Sequence, residues 1–514
     1  MRSFILFLFL CFYLPVFAQD AKFYDSDVPD AYFDYSLKLV RQTPGFSPPV
    51  AARAFGYMGL TLFESTVHGM PGYTSTEGIL YELNHVTDPE TGTEYHWPTV
   101  VNNAMALITD SLFRTMTAVN RDTLYQIRDG YNEIFQYQLP AQVYHNSKAF
   151  GEAVATDILD YSRLDGAHSG YASNFPPDYD PPVGPDLWVP YGMQMALQPY
   201  WGNNRPFIQA DTAIENLSPP PPAFSTDSGS VFYNYSHEVY NTRLNLTPDQ
   251  ETIALYWADG GGTITPGGHS ISILRNVLRE ENANLEEAAI AYAKLGIALS
   301  DAFLACWKTK FIYNLCRPVT YIQQHIDSTW TPLIATPPFP EYPSGHSSQS
   351  GAMTTVMTDV FGADYAFTDY THGTNFGGPR TFGSFDEAAE EAAISRLYGG
   401  IHYAFGNMAG LDLGRTVGEH VNALFAQVSV GTEESFVADH LYLYPNPVHD
   451  VLMIQAENEA IGAEYYVFDV YGKLIDQRKI TANVVMHEMG DYAPGLYVIK
   501  TDKETSSAHR ILKN

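Results

Sequence analysis

The chain carries three short blocks of residues whose types suit the binding of a tetrahedral oxyanion. In chain order they are Lys310 to Arg317-Pro318, Pro343-Ser344-Gly345-His346, and Ser395-Arg396 to His402. Together they supply fixed positive charges, a hydroxyl, backbone N–H groups and two imidazoles. Guanidinium and ammonium groups form charge-assisted hydrogen bonds to oxyanions, and an imidazole exchanges protons near neutral pH. The blocks therefore predict a site for phosphate or its larger analogue vanadate.

The first block places two cations at helical spacing. Lys310 and Arg317 are seven residues apart, which is about two turns of an α-helix, so both side chains are expected on one face. Pro318 is expected to end that helix. A solvated basic patch is the alternative, but Phe311 and Ile312 lie beside the cations and the chain is otherwise poor in basic residues. The block therefore favours an anion site.

The other two blocks are more ambiguous when each is taken alone. Ser344 precedes a predicted helix, so it suits either a helix N-cap or a hydroxyl donor beside free N–H groups. Gly345 allows close backbone approach, and His346 can exchange a proton. Arg396 can form two parallel hydrogen bonds, and His402 suits a metal ligand, a nucleophile or a buried core histidine. Ideal helical spacing does not bring Arg396 and His402 together, so Gly399-Gly400 must turn the chain.

The elements that must position these blocks are predicted to be helices. Pro48-Pro49 is expected to open one of them, since proline is favoured in a first turn. Apolar periodicity and helix-forming residues mark the others. These lie near residues 98–115, 121–137, 141–163, 248–258, 285–308, 346–361, 386–400 and 408–427. The pattern predicts an all-α domain over residues 19–433.

Residues 165–235 break this pattern with proline clusters among aromatic residues. Such a long irregular excursion forms either a surface loop without a role or the rim of a binding site. The sequence leaves these two alternatives open.

Beyond residue 433 the pattern changes to short alternating strands. They are Leu441 to Tyr444, Val451 to Ile454, Tyr465 to Phe468 and Leu496 to Ile499. These strands predict a small C-terminal β-sandwich over residues 434–514. The tail resembles the C-terminal sorting domain of the type IX secretion system of Bacteroidetes. The resemblance rests on Tyr444-Pro445-Asn446-Pro447, Asp469-Val470-Tyr471-Gly472-Lys473, Gly495-Leu496-Tyr497 and Lys513. An adhesion or carbohydrate-binding sandwich is the alternative.

The N-terminus and the composition limit where the protein can work. Residues 1–18 have the charge, apolar run and small-residue end of a cleavable signal peptide, which predicts export. No further stretch predicts a membrane span. With 28 basic and 58 acidic residues the net charge is −30, which argues against a nucleic-acid partner. After cleavage only Cys306 and Cys316 remain. A disulfide between them is possible but not required, and no cysteine pair indicates zinc.

The three blocks together resemble the superfamily of type 2 phosphatidic acid phosphatases and vanadium haloperoxidases. Its pattern is Lys-x6-Arg-Pro, Pro-Ser-Gly-His and Ser-Arg-x5-His, and all three parts are complete here. Phosphatases usually carry an aspartate four residues after the last histidine, where this chain has Gly406. Trp307 and Phe339 occupy positions that resemble the halide pocket of the haloperoxidases. With its tail and the run from Thr43 to Arg53, the chain is similar to marine Bacteroidetes iodoperoxidases.

The resemblance implies two helical bundles that bind vanadate between helices. It implies that His402 is the protein ligand of vanadium, that Lys310, Arg317 and Arg396 neutralise the oxyanion, and that Ser344 and Gly345 add hydrogen bonds. His346 is then the acid–base group toward hydrogen peroxide, Lys310 polarises the oxidant, and Trp307 and Phe339 flank the halide. Catalysis is thus expected of His346, Lys310 and Arg396.

The implied activity is that of a secreted or surface-exposed haloperoxidase, exported by the type IX machinery. Its substrates are hydrogen peroxide and a halide, iodide or bromide, and its product is hypohalous acid. One alternative is a secreted acid phosphatase, with His402 phosphorylated and His346 as general acid. The sequence offers no evident group to orient His402 for that reaction. A binding protein that only sequesters an anion is the other alternative.

Overall fold

The computed structural model describes residues 19–192, 194–208, 218–429, 441–444, 448–456, 461–469, 473–501 and 509–513. The predicted signal peptide and part of the sorting motifs, including Pro445-Asn446-Pro447 and Val470-Tyr471-Gly472, lie outside these residues. Within them the first part of the chain is helical and the last part is built of strands, as predicted.

Apart from one short pair of strands, helices account for the regular structure in the described residues up to Ser429. They are α1 (Asp27–Gln42), α2 (Pro48–Thr66), α3 (Trp97–Leu112), α4 (Ala118–Gln138), α5 (Ala141–Arg163), α6 (Val231–Leu244), α7 (Pro248–Tyr256), α8 (Thr265–Glu280), α9 (Leu285–Tyr313), α10 (Pro318–His325), α11 (Gly345–Phe361), α12 (Phe385–Tyr398) and α13 (Ala404–Val428). Short strands β1 (Phe367–Asp369) and β2 (Arg380–Phe382) form an antiparallel pair. Helices α1, α6, α8 and α10 and this pair were not predicted.

Two close helix crossings fix the elements that carry the site. A Cβ on Gly296 of α9 would lie 2.4 Å from the Phe55 carbonyl oxygen of α2. A Cβ on Gly414 of α13 would lie 1.9 Å from the Ser348 carbonyl oxygen of α11. Both distances are far below van der Waals contact, so glycine is required for these backbones to approach. Helix α9 thus packs closely on α2, and α13 packs closely on α11.

Helix α9 is the centre of this core. By its length and composition alone this helix could cross a membrane, but its most apolar stretch is entirely buried inside the fold. The central helices of soluble proteins can have the same length and composition, so this helix is weak evidence for a membrane span. Its apolarity is accounted for by the helices that cover it.

The strands of the tail form two antiparallel sheets. They are β3 (Leu441–Tyr444), β4 (Val451–Ala456), β5 (Glu464–Asp469), β6 (Leu474–Lys479), β7 (Val484–Glu488), β8 (Gly495–Thr501) and β9 (His509–Lys513). One sheet has the order β3-β4-β7 and the other β6-β5-β8-β9. Alternate residues such as Ile454, Tyr465 and Ile499 are buried in one shared hydrophobic cluster. The strands confirm the predicted change to β-structure, while the sandwich and the two-bundle layout stay predictions.

Candidate functional site

The first block does not lie on one helix, which corrects the prediction. Helix α9 ends at Tyr313, because Asn314 adopts the left-handed conformation (φ 47°). Arg317 is the N-cap of α10, and Pro318 opens that helix instead of ending the previous one. Proline suits a first helical turn, where its missing N–H has no acceptor to lose. Lys310 and Arg317 still converge, because the turn folds Arg317 back beside the end of α9.

Lys310 lies in a cage of backbone carbonyls. Its Nζ donates to the carbonyl oxygens of Pro340 (2.9 Å), Glu341 (2.8 Å) and Pro343 (2.5 Å). These three bonds use all three protons of an ammonium group. Burial lowers the pKa of Lys310 to about 7. Lys310 is therefore rigidly placed, and direct donation to an oxyanion requires that it exchange one carbonyl bond.

The two arginines are buried and retain unpaired nitrogens. Arg317 donates from Nε to the Phe339 carbonyl oxygen (2.9 Å) and from Nη1 to the Ile401 carbonyl oxygen (2.9 Å). Arg396 donates from Nη1 to the Trp257 carbonyl oxygen (2.7 Å). Among the described residues, Arg317 Nη2 and Arg396 Nε have no hydrogen-bond partner. Burial lowers the pKa of Arg317 to about 9 and that of Arg396 to about 10.

His402 is held between a cation and a carboxylate. Its Nε2 lies 3.1 Å from Arg317 Nη1, and its Nδ1 lies 2.8 Å from Glu341 Oε1. A carboxylate can only accept at Nδ1, so that nitrogen carries the proton and Nε2 keeps its lone pair. Burial, and then Arg317 and Lys310, hold the pKa of His402 well below its usual range. This is the tautomer that a metal ligand or a nucleophile needs.

Glu341 is the site residue that the sequence analysis missed. It is fully buried, and its Oε1 also accepts the backbone N–H of Tyr403 (3.1 Å). Burial raises the pKa of this carboxyl to about 7, against the opposing effect of Lys310 and Arg317. A Cβ on Gly406 would lie 2.4 Å from Glu341 Oε1. The lack of a side chain at position 406 thus makes room for a carboxylate that arrives from another segment.

This finding corrects the view that nothing orients His402. One signal could have revealed Glu341: a single acidic residue inside the apolar, proline-rich run from Pro337 to Pro343. Such a residue is rarely buried unless it is paired. Its partner, however, lies 61 residues further along the chain.

The second block opens α11 beside this histidine. Ser344 is the N-cap, and its side chain accepts the N–H of Ser347 at 3.4 Å, so the capping alternative is present in the structure. His346 lies in the first turn, and among the described residues its buried Nε2 has no partner. Burial, and then Arg396 and His269, hold the pKa of His346 well below its usual range. His346 is thus neutral and able to accept a proton.

The third block turns as its glycines predicted. Helix α12 ends at Tyr398, and Gly400 adopts a positive φ of 77°. Ile401 N then donates back to the Arg396 carbonyl oxygen (3.2 Å). The turn brings His402 toward the face that carries Arg396.

An aromatic pair covers one side of the cations. The rings of Trp307 and Phe339 are 4.9 Å apart. The Phe339 ring centroid also lies 5.1 Å from Lys310 Nζ and 5.0 Å from Arg317 Cζ. The predicted halide-pocket residues are therefore adjacent to each other, and Phe339 is adjacent to the charges of Lys310 and Arg317.

The long excursion lies against the segments that carry the site. The Trp307 indole N–H donates to the Leu197 carbonyl oxygen (3.2 Å), and Leu197 N donates to the Pro338 carbonyl oxygen (2.9 Å). Tyr342 Oη donates to the Pro219 carbonyl oxygen (2.6 Å). These contacts favour the rim interpretation of this segment. Cys306 and Cys316 are both buried and free, so the possible disulfide is not formed.

Comparison with known proteins identifies relatives of both parts of the chain. Residues 291–431 match the family described as the VCPO second helical-bundle domain, and residues 442–514 match the secretion system C-terminal sorting domain. The chain is 28% identical over 235 residues to a vanadium chloroperoxidase of Curvularia inaequalis and 35% identical over 112 residues to a vanadium-dependent bromoperoxidase of Ascophyllum nodosum. The first alignment covers 33% of this chain and the second 20%. They span only 39% and 20% of those two relatives.

Solved structures extend the similarity to most of the chain. A structure described as the first bacterial vanadium-dependent iodoperoxidase is 33% identical with a TM-score of 0.70, and the match covers 78% of this chain and 96% of that one. A holo-type bacterial vanadium-dependent chloroperoxidase is 15% identical with a TM-score of 0.57 over 76% of this chain and 94% of that one, which supports the fold alone. The matches thus define a helical haloperoxidase-type fold followed by a C-terminal sorting domain. The chain belongs to the vanadium-dependent haloperoxidase family.

Proposed function

We propose that the protein is a vanadate-dependent haloperoxidase. It oxidises iodide or bromide with hydrogen peroxide, and the hypohalous acid and water that result account for both oxygen atoms of the peroxide. The observation that carries the proposal is a set of buried polar atoms that have no hydrogen-bond partner among the described residues: Arg317 Nη2, Arg396 Nε and His346 Nε2. Their side chains are neighbours since, besides burial, the charge of Arg396 lowers the pKa of both Arg317 and His346. Buried cations with free donors are costly unless an anion accepts from them.

The residues of this pocket fit vanadate. The pocket has three cationic side chains, Arg317, Arg396 and Lys310, against the one carboxylate of Glu341. Burial lowers the pKa of each of these cations. A bound dianion opposes that effect, because an opposite charge nearby favours the charged form. His402 offers Nε2 as the ligand, while Ser344 and the Gly345 N–H complete the cradle. Bound vanadate would supply a Lewis-acidic centre that activates peroxide without changing its own oxidation state.

The remaining roles belong to the side chains around that cradle. Neutral His346 accepts a proton from peroxide, and Arg396 beside it favours the neutral ring. Lys310 acts as a fixed positive charge. Trp307 and Phe339 exclude water and place the halide next to Lys310 and Arg317.

The matched sorting domain indicates transport to the cell surface or exterior. We further propose that residues 1–18 are a cleaved signal peptide, that residues 19–433 form two helical bundles and that residues 434–514 form a β-sandwich. Type IX machinery would then export the mature enzyme.

Halide oxidation by the purified mature protein tests the proposal. The protein is loaded with orthovanadate and given hydrogen peroxide with iodide, bromide and chloride in turn, and hypohalous acid is detected by halogenation of a phenol-type dye. We expect vanadate-dependent turnover that is fastest with iodide. A parallel reaction without vanadate contains p-nitrophenyl phosphate. Phosphate release without halide oxidation would contradict the proposal. No activity in either reaction would indicate a protein that only binds the anion.

One observation favours a second activity of the same pocket, phosphomonoester hydrolysis. The Glu341 carboxylate that orients His402 provides what a phosphohistidine mechanism needs. Nε2 of His402 would attack phosphorus. His346, which is neutral without an anion, would be protonated beside the bound phosphate dianion, because an opposite charge nearby favours the charged form, and it would give that proton to the departing alkoxide. Water would then release phosphate from His402 and return a proton to His346.

Both activities need a carboxylate that orients His402, and we expect that position 406 can supply it in place of position 341. We expect Glu341→Ala to weaken vanadate binding about 10–100-fold, the range typical for the loss of a carboxylate that orients a metal-bound histidine. The double variant Glu341→Ala/Gly406→Asp should recover much of this loss, because the removed side chain vacates the space that a Cβ at position 406 would enter. Isothermal titration with orthovanadate measures both effects.

Glu341→Gln is the matched control for this pair. It keeps the size of the side chain and one acceptor for His402 Nδ1, so it should bind vanadate more tightly than Glu341→Ala. If Glu341→Ala binds vanadate as wild type does while remaining folded by circular dichroism, Glu341 does not orient the ligand.

A further inference from the structure

A second buried cluster of titratable residues lies behind one wall of the oxyanion pocket. It consists of Asp259, His269, Asp369 and His372, and is called here the Asp259 cluster. His269 Nδ1 lies 2.9 Å from Asp259 Oδ2, and His269 Nε2 lies 2.7 Å from Asp369 Oδ2. Tyr256 Oη also donates to Asp369 Oδ2 (2.6 Å). The proposed reaction uses none of these side chains.

Two atoms in this cluster face each other without forming a hydrogen bond. Asp259 Oδ1 and His372 Nε2 are 3.6 Å apart, and their side chains are 1% and 10% exposed. Within the described part of the chain neither atom has a hydrogen-bond partner. A carboxylate oxygen and an imidazole nitrogen that are both buried and unpaired are costly. A cation between them would satisfy both.

We propose that Asp259, His269 and His372 bind a divalent transition-metal ion of the zinc type. Their ligand atoms all lie within 4.8 Å of one another. Imidazole nitrogen and carboxylate oxygen are ligands that Zn²⁺ accepts at about 2.0–2.2 Å, and three protein ligands leave a position for water.

The surroundings of the cluster match this ligand set. A metal-bound histidine usually donates its other N–H to a carboxylate, which fixes the ring. His269 does so toward Asp369, and Asp369 in turn accepts from Tyr256 Oη and from the backbone N–H of Thr371 (2.9 Å). His269 stacks on Trp257 with ring centroids 4.5 Å apart. The ring of His269 is thus held in place with Nδ1 directed at Asp259.

A proton competes with the ion for this position. Without the ion, both nitrogens of His269 donate to carboxylates, and the group is then an ion-pair network with no metal. The metal-bound state and the metal-free state differ in the role of His372. In the metal-bound state His372 is a ligand, whereas in the metal-free network its Nε2, 3.6 Å from Asp259 Oδ1, forms no hydrogen bond to that carboxylate.

The ion would join three segments that also form the pocket wall. Asp259 follows α7, His269 lies on α8, and His372 follows β1. Next to Asp259, the backbone of Ala258 hydrogen-bonds His346, and the Trp257 carbonyl oxygen accepts from Arg396. A metal at the Asp259 cluster would therefore hold in place the backbone that positions His346 and Arg396. This inference does not depend on the proposed peroxidase reaction.

Metal titration of the full mature chain tests the site. Tag-free protein is dialysed against chelator and titrated with Zn²⁺ at about pH 8, where protons compete less. We expect one ion per chain by calorimetry and by elemental analysis. His372→Ala should weaken the affinity at least tenfold without changing the circular dichroism spectrum. Co²⁺ bound in place of Zn²⁺ should give visible absorption that the variant loses.

His145→Ala removes an exposed histidine elsewhere on the surface and serves as the control, which should bind Zn²⁺ as wild type does. The proposal is overturned if no saturable binding tighter than about 100 µM is found. Equal affinity in wild type and His372→Ala also overturns it, because the ion then binds elsewhere and the Asp259 cluster is an ion-pair network.

Discussion

His402→Ala is expected to abolish vanadate binding at concentrations that saturate the wild type, and with it halide oxidation. The variant removes the one neutral nitrogen that Glu341 and Arg317 hold in the pocket. A lost coordinate bond should reduce affinity by at least about 100-fold, or roughly 3 kcal/mol. Equilibrium dialysis with orthovanadate measures the affinity, and dye halogenation measures turnover.

Inorganic phosphate is the comparison ligand that separates loss of the coordinate bond from general damage to the pocket. Phosphate forms no coordinate bond to His402, and the charges of Lys310, Arg317 and Arg396 remain in the variant. Binding of inorganic phosphate should therefore weaken much less than binding of vanadate. His325→Ala, an exposed histidine at the end of α10, should change neither affinity. If the ratio of the two affinities is the same in His402→Ala as in wild type, His402 is not the metal ligand.

His346→Ala is expected to keep vanadate and lose turnover. His346 lies in the first turn of α11, and its Nε2 has no partner in the part of the chain that the structure describes. It contributes no charge, because burial, Arg396 and His269 hold its pKa well below the usual range. Its removal should leave vanadate affinity within about threefold. The loss of an acid–base group typically costs 10²–10⁴-fold in rate. Steady-state halide oxidation at saturating vanadate measures the loss of kcat.

Added imidazole distinguishes a lost base from a disturbed pocket. The ring-sized space left by His346→Ala should admit imidazole and restore part of kcat, with little effect in His402→Ala. Peroxidase activity equal to wild type in His346→Ala would show that another group transfers the proton.

The local parts of the site could be predicted from the sequence because they depend on short-range rules. Proline in the first turn starts α2, Ser344 caps α11, and Gly400 turns the chain after α12, as the residue types indicated. Apolar periodicity located most helices, because a buried face repeats with the helical period. Helix α8 was missed because it opens on Thr265, Pro266, Gly267 and Gly268, residue types that favour a turn.

The error at Lys310 and Arg317 shows where such rules fail. Seven-residue spacing is compatible with one continuous helix, and Pro318 suits the end of one helix as well as the start of the next. The left-handed Asn314 decides between them. Its conformation is stabilised partly by the excursion, since the Asn314 carbonyl oxygen accepts from Trp188 N (2.6 Å). That contact joins residues far apart in the chain.

The sequence by itself determined the helical character of the main domain and the change to strands in the tail, and it supplied the residues that we propose bind an oxyanion. The tertiary structure alone decided that Glu341 orients His402, that Lys310 lies in a carbonyl cage and that Asp259, His269 and His372 converge. Each of these depends on groups between 10 and 113 residues apart that are buried together. The pKa of a buried carboxyl, imidazole or ammonium group depends on what surrounds it in space, and no local spacing rule contains that information.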